Sequence, residues 1–80
     1  MNSTFDARED LLAAYLRYWA TLRVALKRRT GSHELAEDAL QETWLRLAAL
    51  KETPETVRDN RAFILRIAGN IAIDLLRKEN

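Results

Sequence analysis

The chain has no cysteine, one proline, two glycines and a single histidine among its 80 residues. Without cysteine there is no disulfide, no thiolate metal site and no sulfur nucleophile, a usage that fits a reducing compartment. So little glycine and proline leaves few places for turns, and no glycine-rich loop is present to cradle a phosphate. No apolar run approaches the ~18 residues of a membrane span. The first ten residues hold neither a basic stretch nor a signal-peptide core, so the expected location is the cytoplasm.

What remains is the composition of one small soluble domain, 48% apolar and 31% charged with a net charge of +1. A chain this short buries only roughly 60% of its unfolded surface, so modest stability is expected. The charge is unevenly spread. Residues 1–31 hold six Lys/Arg against three Asp/Glu, residues 32–59 three against seven, and residues 60–80 four against two. An acidic middle between two basic ends suggests two surfaces with different partners, because local potential steers encounter. Short segments also reach such imbalances by chance.

The apolar pattern predicts three helices and no strand. Leu11, Leu12, Tyr15, Trp19, Leu22 and Leu26 form one stripe at helical spacing. Asp6 with Glu9 reads as a capping box, Lys27 to Arg29 suit the dipole at the last turn, and Gly31 suits a left-handed cap. The first helix is therefore expected over residues 7–30. Ser32 caps a second helix over 33–50, with Glu34 in its first turn and Ala36, Ala39, Leu40, Thr43, Leu47 and Leu50 on one side. Trp44 lies at the edge of that stripe. Residues 51–60 read as a loop, longer than most helix–helix connections. Asp59 or Asn60 caps a third helix over 61–79, which buries Ile64, Ala68, Ile71, Ala72 and Leu75. The expected fold class is all-α, a small three-helix bundle.

The outward faces carry the functional information. Opposite the stripe of the second helix stand Glu34, Asp38, Gln41 and Glu42, with Leu45 in their midst. A large apolar side chain in an acidic and amide ridge suits docking on a basic partner helix, although single surface leucines are common. On the third helix Arg66, Asn70, Asp74 and Arg77 share a polar side, and Phe63 sits on the same line. Cations and an amide suit phosphates and base edges, and a ring offers a stacking surface for an unpaired base. Equally, Phe63 can fold beneath the loop while Arg and Asp pair along a solvated face.

Catalytic constellations are poor. His33-Glu34-Leu35-Ala36-Glu37 has a glutamate where a zincin helix needs its second histidine. The pairs Glu34/Asp38 and Asp38/Glu42 have i,i+4 spacing, but acidic helical faces are abundant and no conjugate apolar pocket can be inferred from the sequence. No enzymatic activity, catalytic residue, metal or cofactor is expected.

Ala36-Glu37-Asp38-Ala39-Leu40-Gln41-Glu42-Thr43-Trp44-Leu45-Arg46-Leu47 resembles region 2.2 of the bacterial sigma-70 family, specifically its extracytoplasmic-function (ECF) group. Asn60-Arg61-Ala62-Phe63-Ile64-Leu65-Arg66-Ile67-Ala68, followed by Asn70, Asp74 and Arg77, is similar to regions 2.3 and 2.4. Arg28-Arg29-Thr30-Gly31-Ser32 sits at the family's turn between regions 2.1 and 2.2. The resemblance spans nearly the whole chain in the right order, and the general look is similar to the iron-uptake subgroup.

The resemblance implies a region 2 bundle acting in transcription initiation, with core RNA polymerase and promoter DNA as partners and an anti-sigma factor as a usual inhibitor. Asp38, Gln41, Glu42 and Leu45 would meet the clamp helices of the β′ subunit. Asn60, Arg61, Phe63, Arg66, Asn70 and Arg77 would meet the −10 element, where the family captures an unstacked non-template base. Asp74 would orient an arginine or touch a base, and Lys78 would join Arg66 and Arg77 on phosphates. Residues 51–59 would shape the base pocket. The two working sides are expected to be separate.

Two departures stand out. Family members normally continue into a second helical domain, which this sequence does not contain, so an excised domain is expected. Gly69 stands where many relatives carry arginine, which removes a phosphate contact or permits close backbone approach. The alternative function is a helical protein-interaction module, adaptor or antitoxin-like, that does not bind DNA. Its mark would be an apolar patch over the Arg66, Asn70 and Arg77 face.

Overall fold

The computed structural model describes residues 7–50 and 59–79. They form three helices, α1 (Ala7–Thr30), α2 (His33–Ala48) and α3 (Asn60–Glu79), and each packs against the other two. No strand occurs among the described residues. The fold is an all-α three-helix bundle.

The turn between α1 and α2 follows from three residues, Thr30, Gly31 and Ser32. Gly31 takes φ 70°, a left-handed conformation that disfavours any Cβ, and its N–H donates to the Lys27 carbonyl at 2.7 Å. The Thr30 hydroxyl donates to the Leu26 carbonyl at 2.9 Å and accepts from the Ser32 N–H at 3.1 Å. Ser32 then caps α2, its Oγ accepting from the Leu35 N–H at 3.1 Å. With these bonds in place, two residues suffice to connect α1 to α2.

α2 stops at Ala48, two residues short of the expected end, and Ala49 closes it with an N–H to the Leu45 carbonyl. Asp59 is the cap of α3: its Oδ1 accepts from the Ala62 N–H at 3.1 Å and its carbonyl from the Phe63 N–H at 3.0 Å. Asn60 is thus the first helical residue rather than the last of the loop. Asp6 of the expected capping box and residues 51–58 lie outside the described residues.

The core is a column of Leu11, Leu22 and Leu26 from α1, Ala36, Ala39, Leu40 and Leu47 from α2, and Ile64, Ala68, Ile71 and Ala72 from α3. Alanines on α2 and α3 let the backbones approach while leucines fill the spaces between them. Thr43 is buried in this column and remains satisfied, because its hydroxyl donates to the Ala39 carbonyl at 2.6 Å.

Trp19 departs from expectation. It is 37% exposed, with the Arg23 guanidinium 5.4 Å above its ring. Arg23 reaches across to Glu37 of α2 at 2.7 Å and its guanidinium covers the indole on the way, so the ring is shielded by a charged side chain and not by the core. Tyr15 takes the inner place. Its ring packs tilted against Trp44, with centroids 5.3 Å apart, and its hydroxyl donates to the Leu40 carbonyl at 2.9 Å.

Burial, and to a lesser extent the charge of Glu37, raise the Tyr15 pKa above its ordinary 10.0, against a smaller opposing effect of Trp19. A proton held more tightly in the folded state stabilises the fold fully below the unfolded pKa, and that contribution fades as pH climbs through the raised value. Tyr15→Phe is expected to cost about 1 kcal/mol near pH 7 through the lost hydrogen bond. It also removes this group's share of the alkaline decline. Urea melts of both proteins from pH 7 to pH 11 check the point: the gap between them must narrow above pH 10.

Candidate functional site

With its apolar stripe turned inward, α2 presents Glu34, Asp38, Gln41, Glu42 and Leu45 to solvent, all exposed. Leu45 is 56% exposed although Leu47, two residues on, is wholly buried. Glu42 accepts from Arg46 Nε at 3.3 Å, one turn along the same helix. Asp38 and Gln41 have no side-chain hydrogen bond or ion pair among the described residues. The ridge is thus a large apolar side chain flanked by a carboxylate and an amide with free hydrogen-bonding capacity.

On α3, Arg66, Asn70, Asp74, Arg77 and Lys78 are exposed along the side away from the core. The two readings of Phe63 meet halfway. It is partly buried and packs against the core, yet it is not sealed within it. Asn60 is half-buried in the first turn of α3. Arg61 is exposed, its guanidinium 5.6 Å from the Tyr18 ring centroid on α1. Arg61 therefore stands on the α1 side of the helix start, while Arg66, Asn70 and Arg77 continue along the outer face.

The two faces border one another over part of their length. α2 and α3 enclose an open cleft of about 650 Å³, with Asp38, Gln41, Glu42, Leu45 and Arg46 on one wall. Asp74, Arg77 and Lys78 form the other wall above Ile71 and Leu75. The sequence reading missed Arg46 as a part of this cleft. Its signal was available in its position next to Leu45, but the approach of α3 was not. Acidic groups lie on both walls, with Arg46 on the first and Arg77 and Lys78 on the second.

Gly69 has a neighbour that the sequence did not indicate. A Cβ at this position would lie 2.9 Å from Nη1 of Arg29, so a side chain from the last turn of α1 occupies the space. The close approach that Gly69 allows is therefore made by a guanidinium and not by backbone.

The described residues form a three-helix bundle with an acidic-apolar ridge on α2 and basic and amide side chains along α3. Residues 15–80 match the Sigma-70 region 2 family, which covers most of the chain. The chain belongs to the sigma-70 family, as a region 2 domain of the ECF group. The family consists of non-enzymatic transcription initiation factors. Among curated proteins the chain is similar to the ferric citrate uptake sigma factor FecI of Escherichia coli (strain K12), with 33% identity over 75 residues. The match takes in 94% of this chain and 39% of that relative, so the chain spans well under half of its length. No solved structure matches the chain significantly. No described helix is long and apolar enough to cross a membrane.

Proposed function

We propose that this domain binds core RNA polymerase through α2 and engages the promoter −10 element through α3, helping to hold the DNA open in the cytoplasm. The observation that carries the reading is the exposure of Leu45 within a ridge of Asp38, Gln41 and Glu42. A leucine there supplies buried area on a partner helix, and the acidic groups pair with its cations. The β′ clamp helices are the partner that the family implies. An anti-sigma factor that covers the same ridge would compete with them.

Strand opening requires no covalent chemistry, only binding that favours the unpaired strand. Flipping a base costs a few kcal/mol, which stacking and base-edge hydrogen bonds offset. Phe63 supplies the ring and Asn70 the amide, while Arg66, Arg77 and Lys78 supply salt-sensitive phosphate contacts. Asn60 and Arg61 extend the surface to the start of α3, and Asp74 aligns an arginine or meets a base. The protein-only alternative calls for an apolar patch over Arg66, Asn70 and Arg77. These three side chains are polar and exposed, which favours the DNA reading.

Asn70→Ala in the full-length factor tests it. Asn70 is exposed, so stability should stay within about 0.5 kcal/mol of the parent. Open-complex formation on a cognate promoter, followed by permanganate reactivity of the unpaired thymines, should fall by about 1–3 kcal/mol in effective affinity, the usual worth of a base contact. Unchanged promoter opening would remove α3 from the DNA interface.

A further inference from the structure

α1 ends with Lys27, Arg28 and Arg29 in its last turn, where cations suit the helix dipole. Arg29 does more than complement a dipole. Its side chain reaches α3 and lies over Gly69, where a Cβ would come within 2.9 Å of Nη1 and 3.7 Å of Cζ. Gly69 is buried, although Arg66 before it and Asn70 after it are both exposed. Its φ is not in the left-handed region, so the backbone does not demand glycine there. Glycine is a poor choice for a helix interior on propensity alone. What the missing side chain provides is room for the guanidinium.

The charge of Arg29 is not spent within the bundle. Among the described residues it has no ion pair, and its side chain donates no hydrogen bond to them. The contrast with Arg23 and Arg46 is instructive, since each of those holds a carboxylate. A guanidinium carries five donors and is not deprotonated in proteins, so Arg29 offers a fixed positive charge to whatever approaches. Its place is the seam of α1 and α3, beside the turn of α3 that bears Arg66. Arg29 thus stands at the α1 edge of α3, about one helical turn along that helix from Arg66.

We infer that Arg29 is a phosphate-contacting residue of the nucleic-acid surface, seated by Gly69, so that α1 contributes a cation to the face of α3. The inference rests on the proposed role of α3 in binding DNA. The ligand group is a phosphodiester of the backbone and not a base edge, because the residue sits at the border of the face and lacks an orienting carboxylate.

The test measures affinity of the full-length factor, assembled with core polymerase, for a promoter fragment across a range of salt concentrations. Arg29→Ala should weaken binding about four- to fivefold near 0.15 M salt and lower the log–log salt slope by about 0.7–0.9, the signature of one lost phosphate contact. Arg29→Lys should keep most of the slope, since a point charge serves a phosphate. Adding Gly69→Arg to Arg29→Ala should restore the slope, because the vacated space then holds a guanidinium carried by α3. Arg66→Ala is the control for the DNA face.

If Arg66→Ala lowers the slope and Arg29→Ala does not, the inference is overturned and the reading of α3 stands. If neither lowers it, the reading of α3 fails as well. A lower melting temperature with an unchanged slope would make Arg29 a packing residue only. Loss of affinity for core polymerase at an unchanged DNA slope would assign the cation to a protein contact, which also overturns the inference.

Discussion

Two leucines two positions apart on α2 are expected to give opposite results when each is replaced by alanine. Leu47 is wholly buried against the other helices, so Leu47→Ala should cost about 2–5 kcal/mol through lost transfer energy and the cavity left behind. A chain of 80 residues has a total stability on the order of 4–12 kcal/mol, so the variant should be partly or wholly unfolded at 37 °C. Leu45→Ala should leave the denaturation midpoint almost unchanged, because that side chain already faces solvent. Its cost should appear in binding. Combined with Gln41→Ala, it should weaken the complex with a β′ clamp-helix fragment by about 2 kcal/mol or more, near thirtyfold. Guanidinium melts and titration calorimetry separate the two effects. Parent-like affinity in the Gln41/Leu45 double variant would detach α2 from the polymerase.

Phe63 gives the second large effect, and its half-buried state dictates which variant to use. Phe63→Ala removes both core packing and a ring, so its outcome would mix folding with function. Phe63→Leu retains an apolar side chain of similar size and should cost less than about 1.5 kcal/mol of stability. It takes away the aromatic platform. If an unpaired base stacks there, open-complex formation should fall by about 1–3 kcal/mol, roughly five- to 150-fold. Phe63→Tyr should retain activity, since the ring remains. Equal promoter opening by the leucine and tyrosine variants would show that Phe63 only packs beneath its neighbours.

The helices were legible from the sequence because periodicity, capping and breaks agreed where α1 gives way to α2 and where α3 begins, whereas the end of α2 was placed two residues too late. Ser32 and Gly31 marked the corner, and most inward residues of α2 and α3 followed from spacing, although Leu35 was missed and Leu50 and Leu75 are only partly buried. The misplacement of Trp19 has a different origin. Its spacing fits the stripe, but the ring lies under Arg23, which pairs with Glu37 of α2, a tertiary contact that helical spacing does not encode. The ridge around Leu45 was visible as an anomaly on one helix. Arg29 over Gly69 was not, because the pair lies 40 positions apart and only the packing of α1 on α3 brings it together. Faces of single helices can be read from one sequence. What two helices build between them cannot.

The cleft shared by α2 and α3 makes neighbours of the ridge proposed to meet polymerase and the edge proposed to meet DNA. Leu45, Arg46, Asp74 and Arg77 all border the same open space. A body lodged on one wall changes the electrostatic surroundings of the other, without any rearrangement of the bundle. Thermodynamic reciprocity then applies in both directions. By whatever factor a partner on one wall alters the affinity of the other wall for its own ligand, that ligand alters the affinity for the partner by the same factor.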